Sequence, residues 1–172
     1  MPRDDLPVLG FDDAGAWESW LAGQHGTSPG IWLKIAKKKP GPAAAGAGVS
    51  YPEALAVALC YGWIDGQKAG LDDDHWLQRF TPRKPGSRWS KINTEKAAKL
   101  IEAGRMQPAG LREVERARAD GRWDAAYAGQ RTMAVPPDLA AALAGNDAAR
   151  AFFAGLSGAN RYAILYRIAD AK

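Results

Sequence analysis

Ser50-Tyr51-Pro52-Glu53-Ala54-Leu55-Ala56-Val57-Ala58-Leu59-Cys60-Tyr61-Gly62-Trp63-Ile64-Asp65-Gly66-Gln67-Lys68 decides the fold class, because a helix and a strand meet inside it at one glycine. Ser50 and Glu53 have the spacing of a capping box, and Pro52 falls in the first turn, where its missing N–H costs nothing. The run from Ala54 to Cys60 is apolar on every face, the pattern of a central buried helix, and Gly62 supplies the left-handed residue that ends it. Beyond the glycine, Trp63 to Lys68 and Trp76 to Thr81 are rich in β-forming residues and are joined across Gly70 to Asp74. This predicts a hairpin.

Upstream, Asp13 caps a predicted helix with Trp17, Trp20 and Leu21 at i, i+3 and i+4, running out near Gly23. Ile31, Leu33 and Ile35 then alternate with Trp32 and Lys34, as in a half-buried strand. Lys37 to Val49 is cationic and then rich in Pro, Gly and Ala; with nothing to bury, it is predicted to be a mobile loop at about 37–49, inserted within the domain. Downstream, Asn93, Pro108, Pro136-Pro137-Asp138, Asn146 and Ser157 each precede an apolar stripe of helical spacing. The expectation is one α+β domain over 1–172. A small mixed or antiparallel sheet of two or three short strands is covered by about six helices, and the C-terminal part is helical.

Composition narrows the function. Hydrophobic residues make up 47% and charged residues 24%, so the chain has the means to build a core. No apolar run approaches the ~20 residues that span a bilayer, and the start lacks the order of a secretory signal. A cytoplasmic protein without membrane insertion is expected. Cys60 is the single cysteine and the two histidines are far apart, so neither disulfide, metal nor other cofactor is expected. The sequence is silent on oligomeric state.

Charge is unevenly spread. Residues 79–99 hold Arg79, Arg83, Lys84, Arg88, Lys91, Lys96 and Lys99 against Glu95 alone. Within this stretch Pro82 and Pro85 stiffen the backbone, while Ser87, Ser90 and Asn93 offer polar groups at a helix start, which suits an anionic ligand group. Seven tryptophans are present. Trp17, Trp20 and Trp123 read as core, whereas Trp63 and Trp89 sit at turns among polar residues, where a ring can wall a pocket. Asp65 is the best candidate for a catalytic carboxylate, although a purely structural role with Lys68, Arg79 or Arg83 as partner is the favoured reading. The candidate ligand-binding set is Trp63, Asp65, Lys68, Arg79, Arg83, Ser87, Trp89 and Asn93.

The motifs Tyr61-Gly62-Trp63-Ile64-Asp65-Gly66, Gln78-Arg79-Phe80-Thr81-Pro82-Arg83 and Ser87-Arg88-Trp89-Ser90-Lys91-Ile92-Asn93 resemble the YdeI/OmpD-associated family, also called OmdA or bacteriocin-protection proteins. The resemblance runs in order from the Trp17 helix through Gly30-Ile31-Trp32-Leu33 and Gly104-Arg105-Met106 to Arg161-Tyr162-Ala163-Ile164-Leu165-Tyr166. It implies association with antimicrobial resistance and a porin, and attaches no reaction to the fold. The resulting expectation is a small-molecule or peptide binding protein of the stress or resistance type, its ligand carrying an anionic group. An enzyme using Asp65 as general acid/base is the alternative. Nucleic-acid binding through 79–99 ranks last, because Asp72, Asp73 and Asp74 and an acidic first thirty residues interrupt any basic face.

Overall fold

The computed structural model describes residues 5–37, 48–130 and 132–171. Most of the predicted loop, residues 38–47, lies outside the described residues. The chain divides into two compact units, Met1–Trp89 with Asn93–Ala126, and Ser90–Ile92 with Tyr127–Lys172.

In the first unit, β1 (Val8–Leu9), β2 (Ile31–Ala36), β3 (Trp63–Gly70) and β4 (His75–Pro82) form one sheet in the order β1-β2-β4-β3. β1 runs parallel to β2 and the other pairs are antiparallel, so the sheet is mixed. The helices are α1 (Ala14–Gln24), α2 (Tyr51–Cys60), α4 (Pro108–Ala119) and, from Asn93 on, α3 (Lys91–Glu102). Asp13 caps α1 by accepting from the Ala16 N–H at 2.8 Å, and the Ser50–Glu53 capping box closes the start of α2. The predicted hairpin is β3–β4. The α+β class stands, with one strand more than expected, because two residues of β1 are too short to show a period.

Ile31, Leu33 and Ile35 face Phe80, Gln78 and Trp76 across the β2–β4 ladder. Against that face α1 and α2 bring Trp17, Leu21, Leu55, Val57 and Leu59, all essentially inaccessible. Trp17 is the centre of an aromatic cluster with Phe11, Trp20, Trp63 and Phe80 at centroid separations of 5.3 to 6.2 Å. Asn93 was expected as the cap of α3 and instead occupies its third position, 7% exposed, because the Lys91 N–H already donates to the Tyr127 carbonyl and starts the helix earlier.

The second unit holds α5 (Pro137–Ala144), α6 (Asp147–Gly155) and α7 (Gly158–Asp170), with Asn146 and Ser157 capping α6 and α7 as the sequence suggests. Leu165 is its one buried apolar side chain among the described residues. No helix of either unit is long and apolar enough to cross a membrane, among the described residues.

One contact fixes the packing of α4. A side chain on Gly110 would collide with the carbonyls of Cys60 and Leu59 at the end of α2, so the two backbones touch there. Gly62, at φ +74°, turns the chain out of α2 just beside the Ala109 carbonyl. Gly110→Ala should therefore lower unfolding free energy by about 1–3 kcal/mol, the range for overpacking. Gly23→Ala, at a helical position with open space around it, should be neutral or stabilise by up to about 1 kcal/mol. Urea denaturation of the two variants checks the pair.

Candidate functional site

The residues expected to line one pocket are separated by the fold. Trp63 is fully buried in the aromatic cluster, its indole N–H donating to the His25 carbonyl at 3.1 Å, so it walls nothing open to solvent. Trp89 is 2% exposed and lies beneath Arg83, whose guanidinium carbon sits 3.5 Å from the ring centroid. Each thereby covers the other. Arg83 also donates to the Arg88 carbonyl at 3.2 Å, and the Ser87 carbonyl accepts from Arg122 at 2.6 Å. The segment that looked suited to an anion is thus a brace, in which cations hold backbone oxygens and stack on tryptophan. Arg79 neighbours Phe80, which pairs with Asp65, so strand alternation turns Arg79 to the opposite face from that carboxylate.

Asp65 and Lys68 do come together, through an irregularity in β3. Asp65 pairs with Phe80 and Lys68 with Gln78, so Gly66 and Gln67 together face Arg79 alone. This is a β-bulge, and it puts two residues three apart in sequence on one face. Gln78, fully buried, holds the bulge: its side-chain amide donates to the carbonyls of Gly66 at 2.9 Å and Gln67 at 3.2 Å. On the resulting face the Tyr51 hydroxyl donates to Asp65 Oδ2 at 2.8 Å. The Lys68 ammonium lies 5.3 Å from the Tyr51 ring centroid and 4.8 Å from that of Trp76. Burial first, then the charge and hydrogen bond of Asp65, hold the Tyr51 phenol well above its ordinary value. It stays a neutral donor and is no base.

A concavity that the sequence does not announce lies between the ends of α1, α2 and α4. It measures about 290 Å³, is open to solvent, and is lined by Ala22, His25, Tyr61, Gln107, Pro108, Ala109 and Arg112. Tyr61 is 8% exposed, and its hydroxyl has no hydrogen-bond partner among the described residues. Burial, then Glu18, raise its pKa, so it too remains protonated. His25 stacks near Tyr61 at 5.4 Å and its Nδ1 faces the Leu21 carbonyl at 2.9 Å. A carbonyl only accepts, so Nδ1 carries the proton and Nε2 is left for a ligand. The N-cap of α4, Gln107, makes no side-chain cap bond, which leaves first-turn N–H groups at the pocket. Arg112, exposed on the first turns of that helix, has no ion-pair partner among the described residues. Three donors of different kinds thus converge on one small hollow.

Cys60 is buried on α2, and burial pushes its thiol up to about 11, so it is a packing residue. His75 opens β4, half-buried, with its Nδ1 3.1 Å from Asp72 Oδ1.

A family model described as Domain of unknown function (DUF8412) matches residues 9–113. A second, described as Bacteriocin-protection, YdeI or OmpD-Associated (OmdA), matches residues 132–172. The OmdA resemblance is thus supported at the C-terminal end, while most of the motifs that carry it lie in the segment matched by the other model. No curated protein and no solved structure matches the chain.

Two outcomes test this geometry. The folded state keeps Tyr51 protonated where the unfolded chain ionises near pH 10. The stability it contributes is complete below that pH and falls above it by about 1.4 kcal/mol per pH unit. Denaturant midpoints of wild type and Tyr51→Phe between pH 9 and 11 should converge as pH rises. Cys60 should resist a thiol-specific disulfide reagent at pH 8 until the protein is unfolded.

Proposed function

We propose that this chain, which belongs to the family of the Domain of unknown function (DUF8412) and carries an OmdA match at its C-terminal end, is a binding protein for a small molecule or peptide with a terminal anionic group. The observation that carries the reading is the hollow at the start of α4, where the Tyr61 hydroxyl, the Arg112 guanidinium and unbonded helix N–H groups meet. A carboxylate oxygen accepts from all three without needing a positive charge to be buried beforehand. The apolar part of the lining, Ala22, Pro108 and the ring of Tyr61, suits a short aliphatic or peptide stem behind that group. The OmdA name speaks of bacteriocin protection, and in this reading ligand capture in the cytoplasm is the chain's contribution to such a stress role.

The volume favours something small. At about 290 Å³ the hollow sits at the lower end of the range for small-molecule sites, enough for one or two residues of a peptide terminus. Glu18 lies near enough to Tyr61 to raise its pKa, so a ligand with a second negative charge on that side is disfavoured. This points to a monocarboxylate.

The test is a titration, followed by isothermal calorimetry and amide NMR, of Ala-Ala-Ala with a free carboxylate against the same tripeptide amidated, with acetate and inorganic phosphate as small probes. The free acid should bind at least about tenfold more tightly than the amide, and Arg112→Ala should remove most of that difference, worth roughly 1.4 kcal/mol. Tyr61→Phe should weaken the acid and spare the amide. Equal binding of acid and amide, or binding that ignores Arg112→Ala in a folded variant, would overturn the proposal.

A further inference from the structure

We infer that Tyr51, Trp76 and Asp65 form a second site, a cage for a small alkylated ammonium ion, which Lys68 occupies from within the chain. The cage is independent of the hollow at α4. The Lys68 ammonium lies within 6 Å of two ring centroids at once, those of Tyr51 at 5.3 Å and Trp76 at 4.8 Å, and the rings stand 5.8 Å apart at a 49° tilt. Asp65 stands behind the tyrosine, its Oδ2 accepting from the Tyr51 hydroxyl at 2.8 Å. One carboxylate behind two π faces is the composition that recognises a cation with few hydrogen-bonding needs.

The construction behind the cage is costly. A regular strand would send Asp65 and Lys68 to opposite faces, and only the bulge at Gly66 and Gln67 unites them. That bulge is held by a fully buried glutamine, whose carbonyl oxygen finds no partner among the described residues. A buried polar side chain with half its capacity unmet is a poor way to stabilise a sheet. Its effect is to aim two side chains at one place.

The occupant in the structure is an imperfect fit, and that identifies a better one. The Lys68 side chain is exposed, and its ammonium has no carboxylate within ion-pair distance among the described residues. Its ammonium stands over two rings with no hydrogen-bond acceptor among the described residues, and the Asp65 carboxylate is already engaged by Tyr51. An ammonium carrying methyl groups in place of hydrogens has fewer donors to leave unmatched, and it brings apolar surface to the rings. The class is therefore a methylated ammonium, such as tetramethylammonium, choline or a trimethylated lysine side chain. Lys68 holds the place and must swing away to admit it, so apparent affinity is lowered by the fraction of time the cage is filled.

The experiment titrates tetramethylammonium chloride, with ammonium chloride at the same concentration as control, against wild type and Lys68→Ala, following the Trp76 indole resonance by NMR. Lys68→Ala should bind tetramethylammonium about tenfold more tightly than wild type, the gain expected if Lys68 fills the cage roughly nine-tenths of the time. Trp76→Leu in the Lys68→Ala background keeps apolar bulk on the sheet and should abolish binding. Tyr51→Leu in that background serves if the first double variant does not fold. Arg112→Ala should change nothing, which separates this site from the hollow at α4. No binding by Lys68→Ala, equal binding by wild type and Lys68→Ala, equal binding of plain ammonium, or binding that survives loss of either ring would each overturn the assignment.

Discussion

The backbone contact between Gly110 and the Cys60 carbonyl is the constraint from which the arrangement of the first unit follows. With no side chain between them, the start of α4 lies directly against the end of α2, and the Gln107 N–H donates to the Cys60 carbonyl at 3.1 Å. The negative end of one helix thus meets the positive end of the other, which stabilises the junction and partly neutralises both. For this reason the hollow at α4 cannot rely on a helix terminus alone to hold an anion. In the proposed reading, Tyr61 and Arg112 supply what the dipole has already given to α2.

The same helix, α2, sets the separation of the two sites. Tyr51 and Tyr61 stand at its two ends, ten residues apart, a span of about 15 Å. Between them the helix is almost wholly buried, through Leu55, Val57 and Leu59. Burial raises the pKa of both phenols, so each end presents a neutral hydroxyl. Their partners differ: Asp65 engages Tyr51, while Tyr61 faces a pocket bordered by Arg112. One end is therefore electronegative and the other electropositive, although the helix between them carries only Glu53 as a charged residue.

Local chemistry was legible in the sequence, and long-range convergence was not. Asp13, the Ser50–Glu53 pair, Pro108, Asn146 and Ser157 all mark helix starts, because a cap is decided within four residues. The β3–β4 hairpin was readable for a similar reason. Trp63 and Trp89 misled, since an indole at a turn has the same local sequence whether the turn faces solvent or the core. Asp65 and Lys68 both belong to the candidate set read from the sequence, but nothing local announces the bulge that unites them or the role of Gln78, which looks like an ordinary strand residue. His25, Tyr61 and Arg112 are spread over almost ninety positions of sequence, and the one hint at their meeting, a helix opening at Pro108 without a side-chain cap, is weak.

The division of the chain by family match has a physical counterpart. Every residue of both sites falls between Ala22 and Arg112, within the segment matched by the DUF8412 model, and none falls within 132–172, where the OmdA match lies. The C-terminal helices offer little interior, with Leu165 buried and Phe152 left 70% exposed. Their tyrosines instead pack on one another, Tyr166 against Tyr127 at 5.1 Å and against Tyr162 at 5.9 Å. Both proposed sites therefore lie in the sheet-and-helix unit, where rigid elements hold donors and rings in fixed relation. A family name that rests on the other segment describes a role and leaves the recognising atoms unspecified. In the reading proposed above, those atoms stand at the two ends of one buried helix, and the two proposed sites differ in the sign of charge they would accept.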